Sequence, residues 1–149
     1  MAQDDKRDEA IAFLSRPKDY DRAIRRTKEA IRDTRLALTS ISVNYSDMPK
    51  GGGGPVSRTE EGVVAIVALE EKLERLKEER AQVVDEVVAK ICQLDDESHK
   101  VVLIQLFVVG ASWGETIEML GVSRKKVSEL RKEAIDEFRD LLEREENNL

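Results

Sequence analysis

The residues best suited to chemistry lie close together near the C-terminus. Between positions 123 and 132, Arg124, Lys125, Lys126, Arg131 and Lys132 stand against Glu129 alone, a local charge of +4. Clustered cations bind phosphate because each contact releases condensed counterions. Arginine and lysine also match the acceptor edge of guanine in the major groove. The rest of the chain offers little covalent chemistry. Its single histidine, His99, and single cysteine, Cys92, have no neighbours that would complete a nucleophile and base, and the acids are spread over helix faces rather than paired. No catalytic residue, cofactor or metal set is therefore expected. One cysteine excludes an intrachain disulfide and zinc sites built on several cysteines. Cys92 reads as a small buried apolar residue and His99 as a solvated side chain near a helix start.

The basic residues need an element to present them, and the sequence supplies one. Ser112-Trp113-Gly114-Glu115 has capping-box spacing, so a short helix is expected from Ser112 to Leu120. Gly121 provides the left-handed conformation for a sharp turn, Val122 tucks inward and Ser123 caps a second helix. In that helix Val127, Leu130, Ala134 and Phe138 share one face, while Arg124, Lys125, Ser128, Glu129 and Lys132 point away from it. The expectation is a helix-turn-helix in which Arg124, Lys125, Ser128 and Glu129 contact bases and Ser123, Lys126, Arg131 and Lys132 contact the DNA backbone. Trp113 reads as core or as a partly buried wedge.

Upstream, Tyr20, Ile24, Thr27, Ile31, Thr34, Leu38 and Ile41 step by four and three, a heptad stripe on a helix beginning near Pro17. Asn44 through Gly54 and Pro55 interrupts it. The glycines lack the Gly-Lys-Ser/Thr ending of a phosphate loop and follow no strand, so 44–58 reads as a linker. A second stripe follows: Ile66, Leu69, Leu73, Leu76, Arg80, Val83, Val87, Ile91 and Leu94. The first helix is basic and the second acidic, which favours an antiparallel pair, although heptads equally permit a homo-oligomer. After a break at 95–98 the apolar run Val101–Val109 reads as a buried helix ended by Gly110, because no second strand exists to pair with it.

The string Leu120-Gly121-Val122-Ser123-Arg124 resembles region 4 of bacterial sigma-70-type factors, where such a turn leads into the helix that reads the promoter −35 element. With its upstream helix, glycine-containing break and long charged helix, the chain from Tyr20 onward resembles phage-encoded sigma-like regulators of the RinA and ArpU kind. The resemblance implies binding near a promoter and activating or redirecting host RNA polymerase, often for late phage genes, with Arg124, Lys125, Lys126, Ser128 and Glu129 at recognition-helix positions. The family carries an Ile-Ala or Ile-Gly pair where this chain has Thr116-Ile117, so the bulk of Ile117 implies a shifted helix crossing. No domain that would read a −10 element is evident, so a complete sigma factor is not implied.

The totals are consistent with this organisation. The 149 residues are 38% charged and 4% aromatic, a balance that suits long solvated helices. The net charge of −6 conceals segregation: +3 over residues 1–58, −7 over 59–97 and −2 over 98–149, with the acidic end 136–149 at −4. No stretch approaches a membrane span and the N-terminus lacks the order of a secretory signal, so the expected compartment is the cytoplasm. The expected fold is all-α: an N-terminal segment 1–16, a long coiled-coil-like antiparallel hairpin over 17–94, and a helix-turn-helix domain over 95–149 with an acidic tail. The expected partners are double-stranded DNA, RNA polymerase and further copies of the chain. Two other functions fit the same texture: a phage terminase small subunit, and a helical protein-interaction module.

Overall fold

The computed structural model describes residues 2–46 and 54–148, with side chains over 4–39 and 60–148. Every regular element among them is helical: α1 Ala2–Leu14, α2 Arg16–Ser46, α3 Gly54–Ile91, α4 Glu97–Leu103 continued by a π-helical segment Ile104–Val109, α5 Trp113–Leu120 and α6 Arg124–Asn147. The fold is all-α. No helix of the described residues is long and apolar enough to cross a membrane.

Residues 2–14, expected only as part of an N-terminal segment, form a helix that packs on α6. Ala10 and Leu14, one turn apart, are buried, and Phe13 packs against Phe138 of α6 with ring centroids 5.7 Å apart. Lys6 pairs with Glu146 at 2.6 Å and Arg7 with Asp136. The junction with α2 is tight: Ser15 N–H donates to Ile11 O and Asp19 N–H to Ser15 O. Pro17 falls in the first turn of α2, where its missing N–H costs little, and is buried there.

The chain divides into two compact units. In the unit Tyr20–Glu79, α2 and α3 lie antiparallel: Arg35 Nη2 meets Glu70 Oε1 at 2.5 Å, and further along α2 Leu38 abuts the earlier α3 residue Gly62. A Cβ on Gly62 would stand 2.3 Å from Leu38 Cδ2, so glycine permits this approach. The heptad stripes form the inner faces. Thr27 and Ile31 are buried and Ile66, Leu69, Leu73 and Leu76 half-buried. Thr27 and Thr34 occupy core positions because their hydroxyls donate to Ala23 O and Ala30 O, satisfying the polar group within the helix. The expected linker is shorter at both ends, since 44–46 and 54–58 are helical; residues 47–53 and the side chain of Ile41 lie outside the described residues.

In the other unit, Met1–Asp19 with Arg80–Leu149, α6 is the central element, contacted by α1, α4 and α5. Its Val127, Ala134, Ile135 and Phe138 are fully buried, and the last turns of α3 bury Val83, Val87 and Ile91. Lys90 pairs with Glu145 across α3 and α6. The apolar run is helical, but its second half widens to the π register, which places Leu106, Phe107 and Val108 together in the core and leaves Val109 60% exposed. Gly110, at φ 75°, ends it.

Two single residues depart from expectation. Cys92 is exposed because it follows the last residue of α3 and misses the inner face that Ile91 and Leu94 occupy. His99 is not solvated: its side chain is 13% exposed, with Nδ1 2.8 Å from Glu137 Oε1 and Nε2 3.5 Å from Glu133 Oε2. Glu137 also accepts from Asp95 N–H at 2.9 Å, so the start of α4 is fastened to α6. Burial pushes the Glu137 carboxyl upward, but the Asp95 amide and the His99 ring outweigh it and hold the group below its ordinary value.

Candidate nucleic-acid interface

The candidate interface is built from two capped helices and the turn between them. Ser112 Oγ accepts from Glu115 N–H at 3.1 Å and its backbone is extended, which starts α5. The reciprocal arm of the capping box differs from expectation, because the Glu115 carboxylate meets the Ser112 hydroxyl at 3.2 Å. Gly121 closes α5 in the left-handed conformation, φ 66°, with its N–H bonded to Ile117 O. Ser123 then caps α6 by accepting from Lys126 N–H at 3.1 Å. Three residues thus separate the two helices, with both flanking helix ends capped.

Burial on α6 follows the periodicity of the sequence. Val127, Leu130, Ala134 and Phe138 are buried, whereas Arg124, Lys125, Lys126, Ser128, Glu129 and Lys132 are exposed. On α5 the fully buried residue is Thr116, whose hydroxyl donates to Ser112 O at 2.9 Å, and Ile117 is only half-buried. The position that α5 turns into the core therefore holds the smaller side chain of the Thr116-Ile117 pair.

The cations differ in how free they are. Arg124, Lys125, Lys126 and Lys132 make no ion pair with any described carboxylate. Arg124 lies over the Trp113 ring, its guanidinium carbon 5.9 Å from the centroid. That contact links the first residue of α6 to the first of α5, and stacking leaves the planar donor fork able to accept further partners at its edge. Of the two expectations for Trp113, core or a partly buried wedge, the half-buried side chain fits the second, and its ring serves Arg124 as a platform.

Arg131 departs from the expected pattern. It is half-buried, with its guanidinium carbon 5.4 Å from the centroid of the Phe107 ring, which Lys18 also approaches at 5.3 Å. Burial, and secondarily the charge of Arg7, lower the Arg131 pKa. Seven residues beyond Arg124, and so on nearly the same face of α6, it lies further into the unit, where Phe107 of the π-helical segment packs against it. The seven other expected contacts, Ser123, Arg124, Lys125, Lys126, Ser128, Glu129 and Lys132, lie on the exposed side of α6 and its cap. Lys18 and Trp113, which sequence spacing does not single out, join this neighbourhood through ring contacts between elements distant in sequence.

Among the described residues no group of His, Cys, Asp and Glu is arranged to hold a metal ion. Comparison of the chain with protein-family models, with curated proteins and with solved structures gives no match.

Proposed function

We propose that this protein is a DNA-binding transcription regulator that docks α6 in the major groove of duplex DNA. The reading rests above all on one observation: Arg124, Lys125, Lys126 and Lys132 are exposed, have no carboxylate partner among the described residues and are carried by the first turns of a capped helix. An unpaired cation needs no internal bond broken before it meets phosphate, and a capped N-terminus fixes where its side chains reach. Arg124 and Lys125, with Ser128 and Glu129 one turn later, are the base-reading set. Ser123, Lys126 and Lys132 hold the backbone. Arg131 acts in the core of the unit, through Phe107, rather than on phosphate.

One such unit touches few base pairs, so specificity requires a second binding contribution. The proposed co-binder is RNA polymerase, in line with the resemblance of Leu120–Arg124 to the sigma turn, and a promoter in a phage or prophage genome is the proposed place of action.

The test is titration of a fluorescent duplex at several salt concentrations. Binding should weaken steeply with salt, and replacing Lys126 and Lys132 by alanine should lower the logarithmic salt slope by about one for each phosphate that is no longer neutralised. Arg131→Ala should change the slope little. A salt-independent signal, or equal slopes for the wild type and every variant, would refute the assignment.

A further inference from the structure

The apolar side chains left most exposed are concentrated away from α6. Among the described residues the large hydrophobic side chains with the greatest exposure are Leu36, Val63, Val64, Val67, Val109 and Met119, and the first four belong to the unit Tyr20–Glu79. Leu36 is 59% exposed and Val67 47%. Leu36 lines an open groove between α2 and α3 whose floor includes Ile31 and Leu73. Val67 continues the same side of α3, beside Glu70, and Val63 lies one turn before it on the helix. An apolar strip of this kind on a two-helix unit asks for another helical surface.

The charges bordering the strip say which surface. On the α2 bank stand Lys28, Arg32 and Arg35; on the α3 bank stand Glu70, Glu71 and Glu74 with one cation, Arg75, so that the bank stays acidic on balance. The asymmetry extends beyond the groove, since residues 20–39 carry a net +3 and residues 60–79 a net −4. Arg35 and Glu70 satisfy each other within the chain, but Lys28 and Glu71 have no ion pair among the described residues and Arg32 meets only its neighbour Asp33 at 3.7 Å. A face with one basic and one acidic border is complementary to itself.

We propose that this face is a homodimer interface, in which two copies of the α2–α3 unit close into a four-helix bundle about a two-fold axis parallel to the helices. That axis sets each basic α2 against the second copy's acidic α3, and sets the two antiparallel, while the apolar strips meet in the centre. A two-fold perpendicular to the helices and lying in the interface would instead oppose α2 to α2 and α3 to α3, matching like charges, and is disfavoured by repulsion. A closed two-fold interface buries both strips and leaves no unsatisfied copy of the patch. The inference is independent of the DNA-binding reading, and either can fail without the other.

The experiment is sedimentation and light scattering of the full chain. The wild type should have twice the 16.9 kDa chain mass at tens of micromolar, and Leu36→Glu with Val67→Glu should raise the dissociation constant at least about 100-fold, because two charges would enter an apolar seam. Circular dichroism reports whether that variant keeps its helices. Charge variants provide a test that leaves the apolar strip intact. Lys28→Glu with Arg32→Glu in one chain, and Glu71→Lys with Glu74→Lys in another, should each weaken self-association, and mixing the two should restore a heterodimer. Monomeric wild type would overturn the proposal, as would a dimer indifferent to the strip substitutions. Charge variants that fail to rescue each other, or of which one instead pairs with wild type, would overturn the proposed axis and with it the interface.

Discussion

At Gly121 the backbone sits at φ 66° with no atom within 4 Å of the place a Cβ would occupy, so the requirement for glycine there is conformational and not steric. Gly121→Ala should lower unfolding free energy by roughly 1–2 kcal/mol, the cost of a left-handed non-glycine residue, read from urea denaturation. Gly114, inside α5 and with only Ser112 Oγ near its hypothetical Cβ at 3.8 Å, should respond in the opposite sense, gaining about 0.5–1 kcal/mol as alanine from helix propensity. A matched loss at both positions would contradict the assignment of the turn. Arg124 and Arg131 form a second instructive pair. Both approach rings, but Arg124 is exposed and Arg131 half-buried. Alanine at 124 should therefore reduce DNA affinity with stability nearly unchanged, whereas alanine at 131 should reduce stability by removing packing on Phe107.

Elements are joined by a few polar fastenings whose titration is predictable. Glu137 ties the start of α4 to α6, and its carboxyl is held below its ordinary value. A depressed carboxyl stabilises the fold at pH values above the unfolded-state pKa of about 4.3, and the contribution disappears as pH falls through the lower folded value. Thermal denaturation between neutral and acid pH should therefore show a stability loss below about pH 4 that is smaller in Glu137→Gln, which is already destabilised at neutral pH. A variant with the wild-type profile would remove Glu137 from this role. The same junction shows where the sequence ceases to be legible. Helices α5 and α6, their caps and the buried face Val127, Leu130, Ala134 and Phe138 follow local rules, and periodicity alone places them. His99, Cys92, Arg131 and the whole of α1 do not. For most of these the surroundings are supplied by residues far away in the chain: Glu137 for His99, Phe107 for Arg131, and Asp136, Phe138 and Glu146 for α1. Cys92 instead depends on where α3 ends, which the heptad pattern, running on to Leu94, does not mark. The π register of Ile104–Val109 is similarly invisible in a continuous apolar run, which carries no phase from which a widened turn can be read.

Across the whole chain the charges are allotted to different tasks. The acidic end of α6 is largely taken up by intramolecular pairs, with Asp136, Glu145 and Glu146 meeting Arg7, Lys90 and Lys6, while the cations at the start of α6 have no ion pair among the described residues. A chain of net charge −6 can thus present a cationic face, because the field that a duplex meets is set by the local patch and falls off over about 10 Å at moderate salt. Binding should accordingly persist at low salt despite the overall negative charge, and the proposed dimer, by presenting two α6 helices, should prefer sites with repeated half-sites. The central claim, that α6 reads DNA, is tested most directly by selection from a randomised duplex library with the purified protein, in the presence and absence of RNA polymerase, beside the Arg124→Ala, Lys125→Ala double variant. Enrichment of a defined sequence by the wild type, with that preference gone in the variant, is the expected result; a library that stays random under every condition, or the same enriched sequence from both proteins, would contradict the claim.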